Sequence, residues 1–158
     1  MRVRLGKLLG AAAIAGMGSV ASASDDAELA QCFAATEIEY QVPSCILRGI
    51  HQVESSGSKS TTMVSRPNRN GSRDYGIMQL NDFWIRVFQR NFGITAQQIV
   101  QDRCLAIRGA GYVLRYEINR ARDFWTGVAR YHNPDPVIGY GYVLRVADAA
   151  RRFGCQIK

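Results

Sequence analysis

The chain has 158 residues, 47% of them hydrophobic, and 20 lysines and arginines against 13 acidic residues give it a formal charge of +7. That length suits one domain with one core. The basic excess suits an anionic polymer, or simply a solvated surface. No stretch combines a dense basic run with interleaved aromatics, which sets nucleic acid aside as a partner.

Residues 1–23 read as a secretory signal peptide. Arg2, Arg4 and Lys7 form a positive start, Leu8 to Val20 is an uncharged run of apolar and small residues, and Ala21-Ser22-Ala23 supplies a cleavage site before Ser24. The run is too short and too rich in glycine and alanine for a membrane anchor, and no later segment is long and apolar enough to span. Residues 24–158 are then expected as a single exported domain.

The predicted elements are almost all helices. Asp25 or Asp26 caps a first helix to about Tyr40, and Pro43 opens a second that ends near Ser56-Gly57. Residues 58–74 form a polar loop with a small hairpin around Asn70-Gly71. Tyr75 to Leu80 is a short apolar stretch, and Asn81 or Asp82 caps a helix that Gly93 stops. Thr95 starts a short helix, Asp102 caps a longer one to about Ala121, and Asp123 begins another ending at Tyr131. Asn133-Pro134-Asp135-Pro136 breaks the chain before a last helix to Phe153.

The second helix carries the chemistry. With Ile46 at zero, Ile50 falls at about 40°, Glu54 at about 80° and Leu47 at about 100°. Arg48, His51, Gln52 and Ser55 fall on the other side. Glu54 therefore projects from the apolar face, where lost hydration raises a carboxyl pKa and suits it to donate a proton. The competing reading has Glu54 bending out to water at the helix end or pairing with an arginine.

Cys32, Cys45, Cys104 and Cys155 make an even set, which in an exported chain suggests two disulfides with three possible connectivities. Zinc is disfavoured: there is no CxxC pair, and His51 and His132 are the two histidines. No metal and no cofactor is expected.

Three blocks stand in order: Glu54-Ser55-Ser56-Gly57, then Tyr75-Gly76-Ile77-Met78-Gln79-Leu80, then Ala129-Arg130-Tyr131-His132-Asn133. Together they resemble the soluble lytic transglycosylase domain, a bacterial relative of goose-type lysozyme, over about residues 30–153. The resemblance implies a mainly α, lysozyme-like fold. It implies Glu54 as the catalytic acid, and Ser55 as the serine that steadies it. Met78 and Gln79 are implied beside the sugar groove, and Tyr131 as the tyrosine closing on Glu54. Met78 and Tyr131 could also be plain core residues.

Many members read Tyr-Asn where this chain has Tyr131-His132. The Tyr-His form resembles small transglycosylases that accompany conjugation and type IV secretion machines, with His132 as a substrate contact or as a polar helix end. The resemblance also implies the pairs Cys32–Cys104 and Cys45–Cys155.

The implied activity is cleavage of the bond between N-acetylmuramic acid and N-acetylglucosamine in periplasmic peptidoglycan, leaving 1,6-anhydro ends. The monomeric enzyme would open the wall for a secretion, conjugation or pilus machine. Such an enzyme needs one carboxylate. A hydrolytic lysozyme would need a second, for which Asp74 is nearest by motif, while Glu37, Glu39, Asp82 and Asp102 are weaker candidates. A non-catalytic wall-docking component is the remaining alternative.

Overall fold

The computed structural model describes residues 18–157. In chain order the elements are α1 (Gly18–Tyr40), α2 (Ser44–Ser55), β1 (Asp74–Tyr75), β2 (Leu80–Asn81), α3 (Asp82–Phe92), α4 (Ala96–Gln101), α5 (Arg103–Arg120), α6 (Phe124–His132) and α7 (Pro136–Arg152). The helix starts are set by side chains that replace missing backbone partners. Asn81 accepts from the Phe83 N–H, Asp102 from Leu105, and Asp123 from Thr126. Thr95 and Gln98 form a reciprocal capping box on α4. Asp135 caps α7 with Pro136 in its first turn, and Gly93, left-handed at φ 69°, stops α3.

Helix α1 departs from expectation. It begins at Gly18, so Asp25 and Asp26 lie inside it and do not cap it. Nothing between Gly18 and Ala23 breaks a helix, and the two carboxylates go to ion pairs: Asp25 with Arg103 at 3.2 Å and Asp26 with Lys59 at 2.6 Å. Of the expected signal segment, residues 1–17 lie outside the described residues. No helix among the described residues is long and apolar enough to cross a membrane.

The hairpin also sits differently. Asn70-Gly71 is at the tip of a turn in which the Gly71 N–H donates to the Asn68 carbonyl, and its flanks meet at one bridge, Val64 with Tyr75. The two-stranded antiparallel sheet pairs Asp74 with Asn81 and Tyr75 with Leu80, across the turn Gly76–Gln79. Gly76 is left-handed at φ 68°, and a Cβ there would lie 2.8 Å from the Ile99 carbonyl, so only glycine fits. The loop before it is too polar to bury a strand face, whereas Ile77, Met78 and Leu80 are buried.

The core forms where α2 lies against α7 and α5 packs on α1 and α6. Leu47 and Ile50 from α2 meet Ile107 and Leu114 from α5, Val128 from α6 and Val146 from α7 within this buried cluster. Disulfides join Cys32 in α1 to Cys104 at the start of α5, and Cys45 at the start of α2 to Cys155 just beyond α7. The second spans 110 residues of sequence, and a cross-link of that reach constrains the unfolded chain by about 2–4 kcal/mol.

Gly49 lets α2 and α7 approach. A Cβ at this position would sit 2.8 Å from the Val146 carbonyl and 3.1 Å from Ala150. Those atoms belong to a buried helix backbone and cannot swing aside. Replacing Gly49 with Val is expected to cost about 1–3 kcal/mol in urea unfolding, in spite of the better helix propensity.

Candidate active site

Glu54 ends α2 at the wall of a cleft of about 880 Å³. The same cleft is lined by Gln79 from the β1–β2 turn, Asp74 from β1, and Tyr131 and His132 from the end of α6. Leu80, Phe83, Trp84 and Val113 add apolar and aromatic surface along it. Polar side chains interleaved with aromatic surface suit a ligand of hydroxylated rings.

The Glu54 carboxyl is lifted from 4.5 to about 7, chiefly because burial strips water from the charged form. The Asp74 charge pushes the same way, while the Tyr142 hydrogen bond and the Arg145 charge pull it down. Near neutral pH the group is thus poised to give or take a proton.

The hydroxyl that touches Glu54 belongs to Tyr142, which donates to its Oε1 at 2.7 Å. Tyr142 is 1% exposed, in the middle of α7. Its ring stacks on His132 at 4.6 Å with an interplanar angle of 6°, and the Arg145 guanidinium lies 5.9 Å from the ring centre. His132 thus backs the tyrosine that holds Glu54, and burial holds its pKa below the usual value, with Arg145 adding to the effect. The expected partner, Tyr131, donates instead to the Met78 carbonyl at 2.9 Å. Its phenol is held well above 10.0 by burial, with Glu54 and Asp74 both adding to the effect. Tyr131 therefore ties α6 to the β1–β2 turn and lines the cleft without bonding the acid.

Two expected contacts lie away from the cleft. Met78 is fully buried, at 0% exposure, because the turn points it into the core. The Ser55 hydroxyl donates back to the His51 carbonyl at 3.2 Å, one turn earlier in α2. Gln79 is held at φ 48° with its amide donating to the Gly76 carbonyl at 2.8 Å, a strained backbone position for a residue that lines the cleft. His51 is 6% exposed and not on a polar face as its position on the helix suggested. The loop after α2 folds back over it, so that its Nε2 pairs with the Ser58 carbonyl at 2.8 Å.

Asp74 occupies a different environment from Glu54. It accepts from the side-chain amides of Asn81, at 2.9 Å, and Asn68, at 3.1 Å. The weaker candidates are engaged elsewhere. Glu39 is gripped by Arg108, Asp82 accepts from the Arg73 N–H and the Tyr75 hydroxyl, Asp102 caps α5, and Glu37 is exposed. No cluster of three or more metal-binding side chains occurs among the described residues.

A helical domain with a two-stranded sheet, and a half-buried acid near the end of a helix facing a cleft, is a lysozyme-like arrangement. The chain belongs to the Transglycosylase SLT domain family, which matches residues 31–137. It is 33% identical over 103 residues to Protein IpgF of Shigella flexneri, covering 65% of each chain. It is 28% identical over 103 residues to Invasion protein IagB of Salmonella typhimurium, covering 65% of this chain and 62% of that one. A shorter match, 39% over 54 residues, joins it to a Lysozyme of Galleria mellonella, covering 32% of this chain and 45% of that one. The chain therefore spans slightly less than two thirds of the first relatives' length.

Holding Glu54 out of water has a cost that depends on pH. Unfolded, the carboxyl ionises near 4.5; folded, it resists ionisation up to about 7. Stability is unaffected below pH 4.5, where both states are protonated, and falls as pH rises between the two values. At about 1.4 kcal/mol per pH unit the loss reaches about 3 kcal/mol. Glu54→Gln, which cannot ionise, is expected to be more stable than the parent at pH 8, by up to about 3 kcal/mol, with the difference closing towards pH 4.5 in parallel thermal melts.

Proposed function

We propose that the protein is a peptidoglycan lytic transglycosylase in which Glu54 serves first as acid and then as base. The observation that carries this reading is the placement of Glu54, whose carboxyl is pushed up to about 7 by burial, beside a cleft lined by Gln79 and Tyr131. The protonated Glu54 gives its proton to the oxygen joining N-acetylmuramic acid to N-acetylglucosamine, and the bond from that oxygen to the muramic anomeric carbon breaks. The muramic N-acetyl oxygen stabilises the positive carbon, as in other substrate-assisted glycosidases. The ionised Glu54 then takes the proton of the muramic C6 hydroxyl, and that oxygen closes on the anomeric carbon. The product is a 1,6-anhydro end, no water is consumed, and Glu54 returns to its acid form. A pKa near neutrality serves both halves.

A local opening of the wall for a secretion or conjugation apparatus is the setting we propose. It is supported by the Tyr131-His132 form and by the likeness to a protein named for invasion. Export to the periplasm through residues 1–23 and the two disulfides fits that setting.

Hydrolysis is the second reading, favoured by the position of Asp74. It puts a second carboxyl on the same cleft as the desolvated Glu54, and a pair of carboxyls is what two-role hydrolysis requires. Mass spectrometry of muropeptides released from intact sacculi separates the two. Anhydro ends, lighter by one water, are expected; reducing ends would establish the lysozyme. Glu54→Gln should abolish release under either.

Asp74→Asn gives an independent check. Removing its charge takes away one influence that raises the Glu54 pKa, so the fall in kcat/KM at high pH should move to lower pH. Under the transglycosylase reading the maximal rate stays within about tenfold of the parent. A loss beyond about a hundredfold would identify Asp74 as part of the chemistry.

A further inference from the structure

Besides Glu54 and His132, the charged side chains lining the cleft are Arg69, Asp74, Glu117 and Arg130. Three of them are matched within the protein. Arg130 pairs with Glu117 at 2.7 Å, and Asp74 is occupied by Asn68 and Asn81. Arg69 forms no ion pair among the described residues.

Arg69 is also held in a built setting. It follows Asn68 in the turn closed by the Gly71 N–H to the Asn68 carbonyl, at 2.9 Å. Behind it the Asn68 N–H donates to the Ser72 carbonyl at 2.7 Å, and the Asn68 amide reaches both Ser72 Oγ and Asp74 Oδ2. Asn81 clamps Ser72 from β2 at 3.1 Å, and Ser72 bonds Asn70 Oδ1 at 2.7 Å. The network that fixes Asp74 therefore also fixes the turn carrying Arg69, so less backbone freedom is lost when the side chain binds.

We infer that Arg69 recognises a carboxylate carried on the lactyl arm of a muramyl residue. This rests on the proposal that the cleft holds a peptidoglycan strand. The amino-sugar rings of such a strand are neutral. Its negative charges lie on the lactyl arms, either as the free lactyl carboxylate or as carboxylates of an attached peptide. A planar guanidinium matches either one in a two-point, charge-assisted contact. The same site would also fix the register of the strand, because lactyl arms occur only on alternate sugars.

The test is calorimetric binding to the Glu54→Gln protein, with and without Arg69→Gln. Three ligands are compared: a neutral chitin hexasaccharide, amidase-treated glycan strands bearing lactyl carboxylates, and strands bearing peptides. Adding Arg69→Gln should weaken binding of carboxylate-bearing strands about tenfold. It should leave the hexasaccharide within about twofold. Loss on amidase-treated strands alone assigns the free lactyl carboxylate, which an attached peptide ties up as an amide; loss on peptide-bearing strands alone assigns the peptide; loss on both shows that Arg69 accepts either carboxylate. Arg66→Gln, a nearby exposed cation outside the cleft lining, should change little. Equal loss on all three ligands, no loss on either strand, or an equal effect of Arg66→Gln would overturn the inference. Cleavage by the parent chain without an Arg69 effect sinks this inference alone; Arg69-dependent binding by a chain that never cuts sinks the catalytic reading alone.

Discussion

The close approach of α2 to α7 is the contact on which the site depends. Gly49 permits it by presenting no Cβ to the Val146 carbonyl, and Cys45–Cys155 ties the start of one helix to the end of the other. The result is that Tyr142, a residue 88 positions away, donates to Glu54. A bulkier residue at Gly49 would push the two helices apart and open the acid to water. Hydration would then let the carboxyl ionise at its ordinary pH and remove the upward shift.

Around this contact the protein keeps two carboxylates in opposite conditions. Glu54 sits at the end of an apolar helix face with a single hydroxyl donor. Asp74 sits in a polar turn, where amides of Asn68 and Asn81 replace the water it has lost. The turn is ordered largely by side-chain amides and hydroxyls, because residues 65–73 offer almost no apolar surface to bury. Stability is given up at Glu54 as the pH approaches neutrality, and the core and the two disulfides supply the margin.

Much of the framework was legible in the sequence because it rests on local rules. Asn81, Thr95, Asp102 and Asp123 each cap the helix that follows, and Gly93 ends α3, since caps depend on a few neighbouring residues. The position of Glu54 beside Ile50 and Leu47 followed from the angle between helical residues. Long-range placement was less legible. His51 lies on the flank of α2 that counts as polar, and it is buried because the loop at Ser58 folds back to accept its ring. Met78 stands in a groove motif, yet the turn at Gly76 aims it inward. Tyr142 had a weak signal: it shares a stripe with Val146, Ala149 and Ala150, and a tyrosine on a buried stripe needs a partner for its hydroxyl. Nothing local said that the partner was Glu54.

The sequence by itself determined a helical, disulfide-bearing chain, a glutamate on an apolar face, and the ordered motifs of the Transglycosylase SLT domain family. Those follow from periodicity, caps and ordered motifs, all of which act over a few residues. Only the tertiary structure decided which tyrosine meets the acid, that Tyr131 is spent on a backbone carbonyl, and that Asp74 is fixed by amides from two separate segments. Such choices depend on how helices far apart in sequence are brought together. In a packed interior, an ångström of displacement decides whether a hydroxyl reaches a carboxylate or a carbonyl.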